Sequence, residues 1–132
     1  MTIITIPAEL VSLVRDGARF DLSTQLHAID DLLDGPRPWA DIREEVAQGV
    51  ARENGAIALL DALHWIGAEE ERAVDVDVCE HREVLLRALL VRIGVERDVE
   101  SDVQAGVGER AEAKVHAGQL VAFVQRVEEG GE

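Results

Sequence analysis

The run Val84 to Ile93 (Val-Leu-Leu-Arg-Ala-Leu-Leu-Val-Arg-Ile) is the most apolar stretch of the chain, and it constrains the fold more than any other feature. Wound into a helix, it leaves only a narrow polar arc near Glu83, Arg87 and Gly94, and a helix that is apolar nearly all round must be covered on several sides. Arg87 and Arg92 interrupt it too soon for a membrane span. It is therefore expected to be a central core helix, with the other segments built to cover it.

What can cover it follows from the rest of the chain. At 132 residues there is enough length for one domain with a real core and no need of metal or disulfide support. Aromatics supply only 3% of the residues and tyrosine none, so the core must be leucine, valine, isoleucine and alanine, which suits close-packed helices.

Helical periodicity recurs along the sequence. Residues 2 to 6 alternate Thr and Ile, but Pro7 stops the pattern with no evident partner strand, so this piece reads as an extended arm. Pro7 is well placed to open a helix. Val11, Val14, Ala18, Leu22, Leu26, Ile29 and Leu33 then recur at steps of three and four, predicting a helix over roughly 7–34, with Asp21 or Ser23 as the place where it would break. Asp34-Gly-Pro-Arg-Pro38 is a turn.

A second helix is predicted from Trp39 to Ile66 on the stripe Ile42, Val46, Val50, Ile57, Leu60 and Leu63. Asn54-Gly55 is its weak point, because both are poor helix formers. Residues 67–77 carry five acids and read as a solvated connection. Asp77-Val-Cys-Glu80 has capping-box spacing and opens the central helix, which runs to about Val99. After a loop at 101–108 the last helix, about 109–128, should bury Ala113, Ala117, Leu120, Phe123, Val124 and Val127, with a frayed tail at 129–132. Two helices of about 28 residues, each about 42 Å long, and two of about 20 predict an all-α fold, an antiparallel up-down four-helix bundle.

The opening Ile6-Pro-Ala-Glu-Leu-Val11, the segment Leu63-His-Trp-Ile-Gly67 and the run Val95-Glu-Arg-Asp98 resemble a group of short all-helical bacterial proteins whose role is not known. The resemblance covers most of the chain; it implies a fold and transfers no function.

Charge and cysteine content narrow the function. A formal charge of −14, from 27 acids against 13 basic residues, argues against binding nucleic acid or an anionic membrane and leaves a basic protein as a partner of suitable sign. Cys79 is the single cysteine, so there is no disulfide within the chain and no Cys-rich zinc motif. The opening residues lack the basic and apolar regions of a secretory signal, so a cytoplasmic location is expected.

Polar residues on apolar stripes are the candidates for chemistry. Glu53 and His64 fall on the stripe of the second helix and His116 on that of the last, an arrangement from which a bundle could hold a metal. The plainer reading pairs Glu53 with Arg19 across the first hairpin and leaves both histidines at the bundle edge. Arg92 and Glu96 form an i, i+4 pair. Asp75, Asp77 and Glu80 offer oxygen ligands in no complete motif, and Cys79 has acidic neighbours that oppose activation. No catalytic constellation, cofactor or metal site is therefore assigned. The expected role is non-enzymatic, an interaction or structural protein. The predicted interface is Leu59, Trp65 and Ile66, which project away from the Ile57, Leu60 and Leu63 stripe and would join two copies as a homodimer. A metal-binding bundle or metal-dependent enzyme, and an acidic adaptor or inhibitor of a basic protein, are the alternatives.

Overall fold

Pro7, at φ −59° and ψ 148°, turns an extended arm into the first helix, and the Leu10 amide donates back to its carbonyl at 2.9 Å. The computed structural model of the chain describes residues 2–64 and 72–130. Its elements in order are β1 (Ile3–Ile6), α1 (Ala8–Asp34), α2 (Trp39–Ala62), β2 (Val74–Asp77), α3 (Val78–Ser101) and α4 (Val107–Glu128). The fold is all-α, with four long helices and one short strand pair among the described residues. Neither α1 nor α2 breaks: α1 passes through Asp21 and Ser23, and α2 passes through Asn54-Gly55.

The central helix holds the place expected of it. α3 packs against α1, α2, α4 and β2, and Leu85 and Leu89 are fully buried. One continuous apolar core takes residues from all six elements; a second, smaller cluster of Ile29, Ile42 and Val46 sits near the α1–α2 turn. Complete burial of each leucine contributes on the order of 2 kcal/mol. The helices associate chiefly as two sequential pairs, α1 with α2 and α3 with α4, joined through α1 against α3, while α1 and α4 barely touch. No helix among the described residues is long and apolar enough to cross a membrane.

Glycines set the closest approaches. A Cβ on Gly17 would stand 2.1 Å from the Ala88 carbonyl oxygen, so α1 and α3 cross backbone to backbone. A Cβ on Gly55 would meet Val84 at 2.7 Å, and one on Gly49 would meet Ile29 at 2.9 Å. The glycine that looked like a weak point in α2 is thus where α3 leans in.

The arm is not solitary. β1 pairs antiparallel with β2 in the register Ile3↔Asp77 to Ile6↔Val74, which corrects the reading of residues 74–77 as solvated connection. Val74-Asp-Val-Asp77 alternates with period two, as the arm does, so Val74 and Val76 join Ile4 and Ile6 in the core while Asp75 accepts from the Thr5 hydroxyl at 2.6 Å. A two-stranded ribbon is marginal by itself, and here it is held by its apolar face on the helices. Asp77 then caps α3, its Oδ1 accepting from the Cys79 amide at 3.0 Å. Glu80 makes no return bond among the described residues; its carboxylate lies 3.8 Å from His81 instead.

Candidate interaction surface

Two pairs of neighbours fix how α1 and α2 lie together. Arg15 donates from Nε and Nη2 to the Leu63 carbonyl at 3.2 and 2.9 Å, and Ile29 lies against Gly49. Both pairs centre on residue 39 rather than on Pro36, because extended backbone at Gly35 and Pro38 carries the chain onward before α2 begins. Arg19 is consequently level with Leu59, not with Glu53. Those two make no ion pair among the described residues, and Glu53 is half-buried on the hairpin flank.

The outward face of this hairpin follows from helix geometry, at about 100° per residue. On α1, Gly17 and Asp21 face α3, Ile29 faces α2, and Leu33 and Leu26 lie further round in the same sense. On α2, Gly55 faces α3, Gly49 faces α1, and Trp39, Val50 and Ile57 lie further round. Both rows therefore point to the side of the hairpin away from α3. Leu26 is 44% exposed, Leu33 53%, Trp39 57%, Val50 40% and Ile57 40%. With α2 centred as above, Leu33 falls beside Val46 and Leu26 beside Val50, making one apolar band along the groove. Its rim carries Asp30, Asp34, Glu53 and Asp61 with Arg19 and Arg43, none of which makes an ion pair among the described residues, and Arg15, on the Leu33 row, is held on the Leu63 carbonyl.

This surface differs from the one anticipated. Leu59 is 0% exposed and belongs to the main core, while Ile57, expected inside, faces out. The glycine contacts at 49 and 55 turn the buried arc of α2 by roughly 60° relative to a stripe drawn through its large residues. Trp65 and Ile66 lie outside the described residues. In α1 the sequence row splits: Leu22 is partly buried against the main core and Ile29 is buried in the smaller cluster, while Leu26 and Leu33 lie outside, because the inner face is taken by Leu10, Leu13, Gly17 and Asp21. The readable signal is that α1 and α2 each carry two apolar rows, of which a single core contact uses one.

The candidates for chemistry are dispersed. His64 is exposed just past the end of α2, with φ 53°, so it no longer continues the helical stripe. His116 is on α4, which is not packed against α2. Its Nδ1 lies 3.7 Å from the buried Glu96 carboxylate and its Nε2 3.7 Å from Glu112, beside a cavity of about 230 Å³. One ring nitrogen toward each carboxylate sets the imidazole between them and gives no common point for an ion. Among the described residues no group of three or more His, Cys, Asp or Glu side chains is arranged to hold a metal. Glu96 instead accepts from Arg92 Nη2 at 2.8 Å, the pair expected from their spacing.

The other buried charge, Asp21, is 3.2 Å from Arg87 Nε, and Arg87 also reaches Glu83 at 2.8 Å, which ties α1 to α3. At the α1–α2 turn the hydrogen bond from Arg37 to Glu45 at 2.9 Å, with the attraction between the two charges, raises the guanidinium pKa above its ordinary value. Cys79 is an exposed free thiol.

The chain matches no protein-family model, no curated protein and no solved structure.

Proposed function

We propose that this protein works as a helical interaction module, with the outer face of the α1–α2 hairpin as its binding surface and no chemistry of its own. One observation carries the reading: Leu26, Leu33, Val50, Ile57 and Trp39 form a band on one side of one hairpin, and each keeps two fifths or more of its surface exposed. Scattered apolar residues are ordinary on a protein surface, but an aligned band containing tryptophan is the usual mark of a binding site. Self-association, expected at first through Leu59, Trp65 and Ile66, cannot use Leu59 while this core is intact, so a second copy competes with other partners for the same groove.

The test compares the protein with a Leu26→Asp, Val50→Asp variant. Both should give the same circular dichroism, since the two side chains already contact water. Immobilised on beads in lysate of the source cells, the unmodified protein should retain proteins that the variant loses, or light scattering should show an oligomer that the variant does not form. Equal retention together with equal mass for the two would end the reading.

A further inference from the structure

The α1–α2 hairpin also carries most of the helices' excess charge. α1 has six acids and two arginines and α2 five and two, whereas α3 has five acids and four arginines and α4 three acids and three basic residues. On the groove rim the four carboxylates stand with three arginines, Arg15, Arg19 and Arg43, of which Arg15 is held on the Leu63 carbonyl. We infer that the occupant of the groove is a basic amphipathic helix from another protein, its apolar stripe on the Leu26 and Val50 band and its lysines or arginines over Asp30, Asp34, Glu53 and Asp61. The inference rests on the interaction reading above and adds the sign and shape of the partner.

Three arguments favour that occupant. A groove between two helices suits a third helix, whose residues at i, i+4 and i+7 can follow the rows formed by Leu33, Leu26, Val50 and Ile57. A second copy would set one acidic hairpin against another, and like charges brought together across an interface oppose association. A basic helix gains from the same field, which speeds encounter and fixes the orientation of docking.

The inference is tested with two helical peptides of about 18 residues that share one leucine stripe, one with lysine and one with glutamate at every polar position. Amide shifts of the protein are followed by NMR during titration. The lysine peptide should bind at least about tenfold more tightly than the glutamate peptide, shift residues of α1 and α2 around the groove, and weaken as salt rises. In the Leu26→Asp, Val50→Asp protein the same peptide should bind at least about tenfold more weakly. That control separates docking from simple attraction, because two added carboxylates would strengthen a purely electrostatic contact.

Equal affinity for both peptides, or a concentration-dependent dimer with shifts in the groove, overturns the basic partner while leaving the groove as a binding surface. Lysine-peptide shifts outside the groove, no binding of either peptide, or undiminished binding to the variant overturns the inference as well. Whether the interaction reading itself falls is decided separately by the lysate and light-scattering comparison.

Discussion

The two helical pairs are alike in length and opposite in what they leave outside. In the α3–α4 pair, buried Glu96 is met by Arg92 and flanked by His116, Arg82 donates to the Glu128 carbonyl at 2.9 Å, and acids and bases nearly balance. Its exposed large residues are mostly valines, at 95, 107 and 115, with Leu90. The α1–α2 pair leaves leucine, isoleucine, phenylalanine and tryptophan exposed and carries acids on its rim that make no ion pair among the described residues. A pair whose charges nearly balance presents no dominant sign to a partner, even though Arg87 Nη2, Arg92 Nε and Arg110 Nε on it are buried without a hydrogen bond among the described residues; the α1–α2 pair presents both an apolar band and a sign of charge. The contrast suggests that α3 and α4 serve as scaffold and that α1 and α2 do the binding.

The sharpest way to break that division is at the seam between the pairs. Gly17→Val puts carbon atoms into the Ala88 carbonyl, a rigid backbone group that cannot give way, so α1 must leave α3. Overpacking of this kind should cost about 3 kcal/mol or more, read as a fall in the urea midpoint. Leu89→Ala removes a fully buried side chain from the helix that every other helix touches, and should cost about 2 to 5 kcal/mol. A loss below about 1 kcal/mol would mean that α3 is not the scaffold.

Most of this scaffold was legible in the sequence. The run at 84–93, the Asp77 cap, the turn at Gly35 and the inner row of α4, apart from the partly buried Val124, could be read directly, since each depends on local spacing. Three things were not. The partner of the arm was hidden because Val74-Asp-Val-Asp77 was weighed by its charge rather than by its alternation. The rotation of α2 was hidden because Gly49 and Gly55 carry no hydrophobic signal, yet decide which side can approach a neighbour. The exposed band was hidden for the same reason: Leu26, Leu33, Val50 and Ile57 satisfy a core periodicity, and only the positions of α3 and of the hairpin partner show that the core has no room for them.

Two intermediate effects sharpen the comparison. Glu96→Ala removes the carboxylate that Arg92 and His116 share, leaving an arginine about a quarter exposed with less to hold, and should destabilise by about 2 kcal/mol. Leu26→Asp with Val50→Asp should change stability by no more than about 1 kcal/mol, as expected of partly exposed sites. Thermal unfolding of the two variants measured side by side checks the contrast. If the groove substitutions cost as much as the Glu96 one, the band is part of the core and not a binding face.

The smallest effect has the opposite sign. Gly118 lies in the middle of α4, and a Cβ built there meets nothing within 4 Å. A helical glycine gives up more backbone entropy on folding than alanine and gains nothing here from close approach, so Gly118→Ala should stabilise the protein by about 0.5 to 1 kcal/mol. Gly17→Ala, the same chemical change on α1, should destabilise it, because that Cβ would fall 2.1 Å from a carbonyl oxygen. Denaturant unfolding of the two single variants compares one added methyl group at the seam with one on the outer side of the scaffold pair. Stabilisation at 118 that leaves lysine-peptide affinity unchanged agrees with α4 standing apart from binding. A weakened peptide, or a loss of stability at 118, would place a contact on α4 and erase the division between the two pairs.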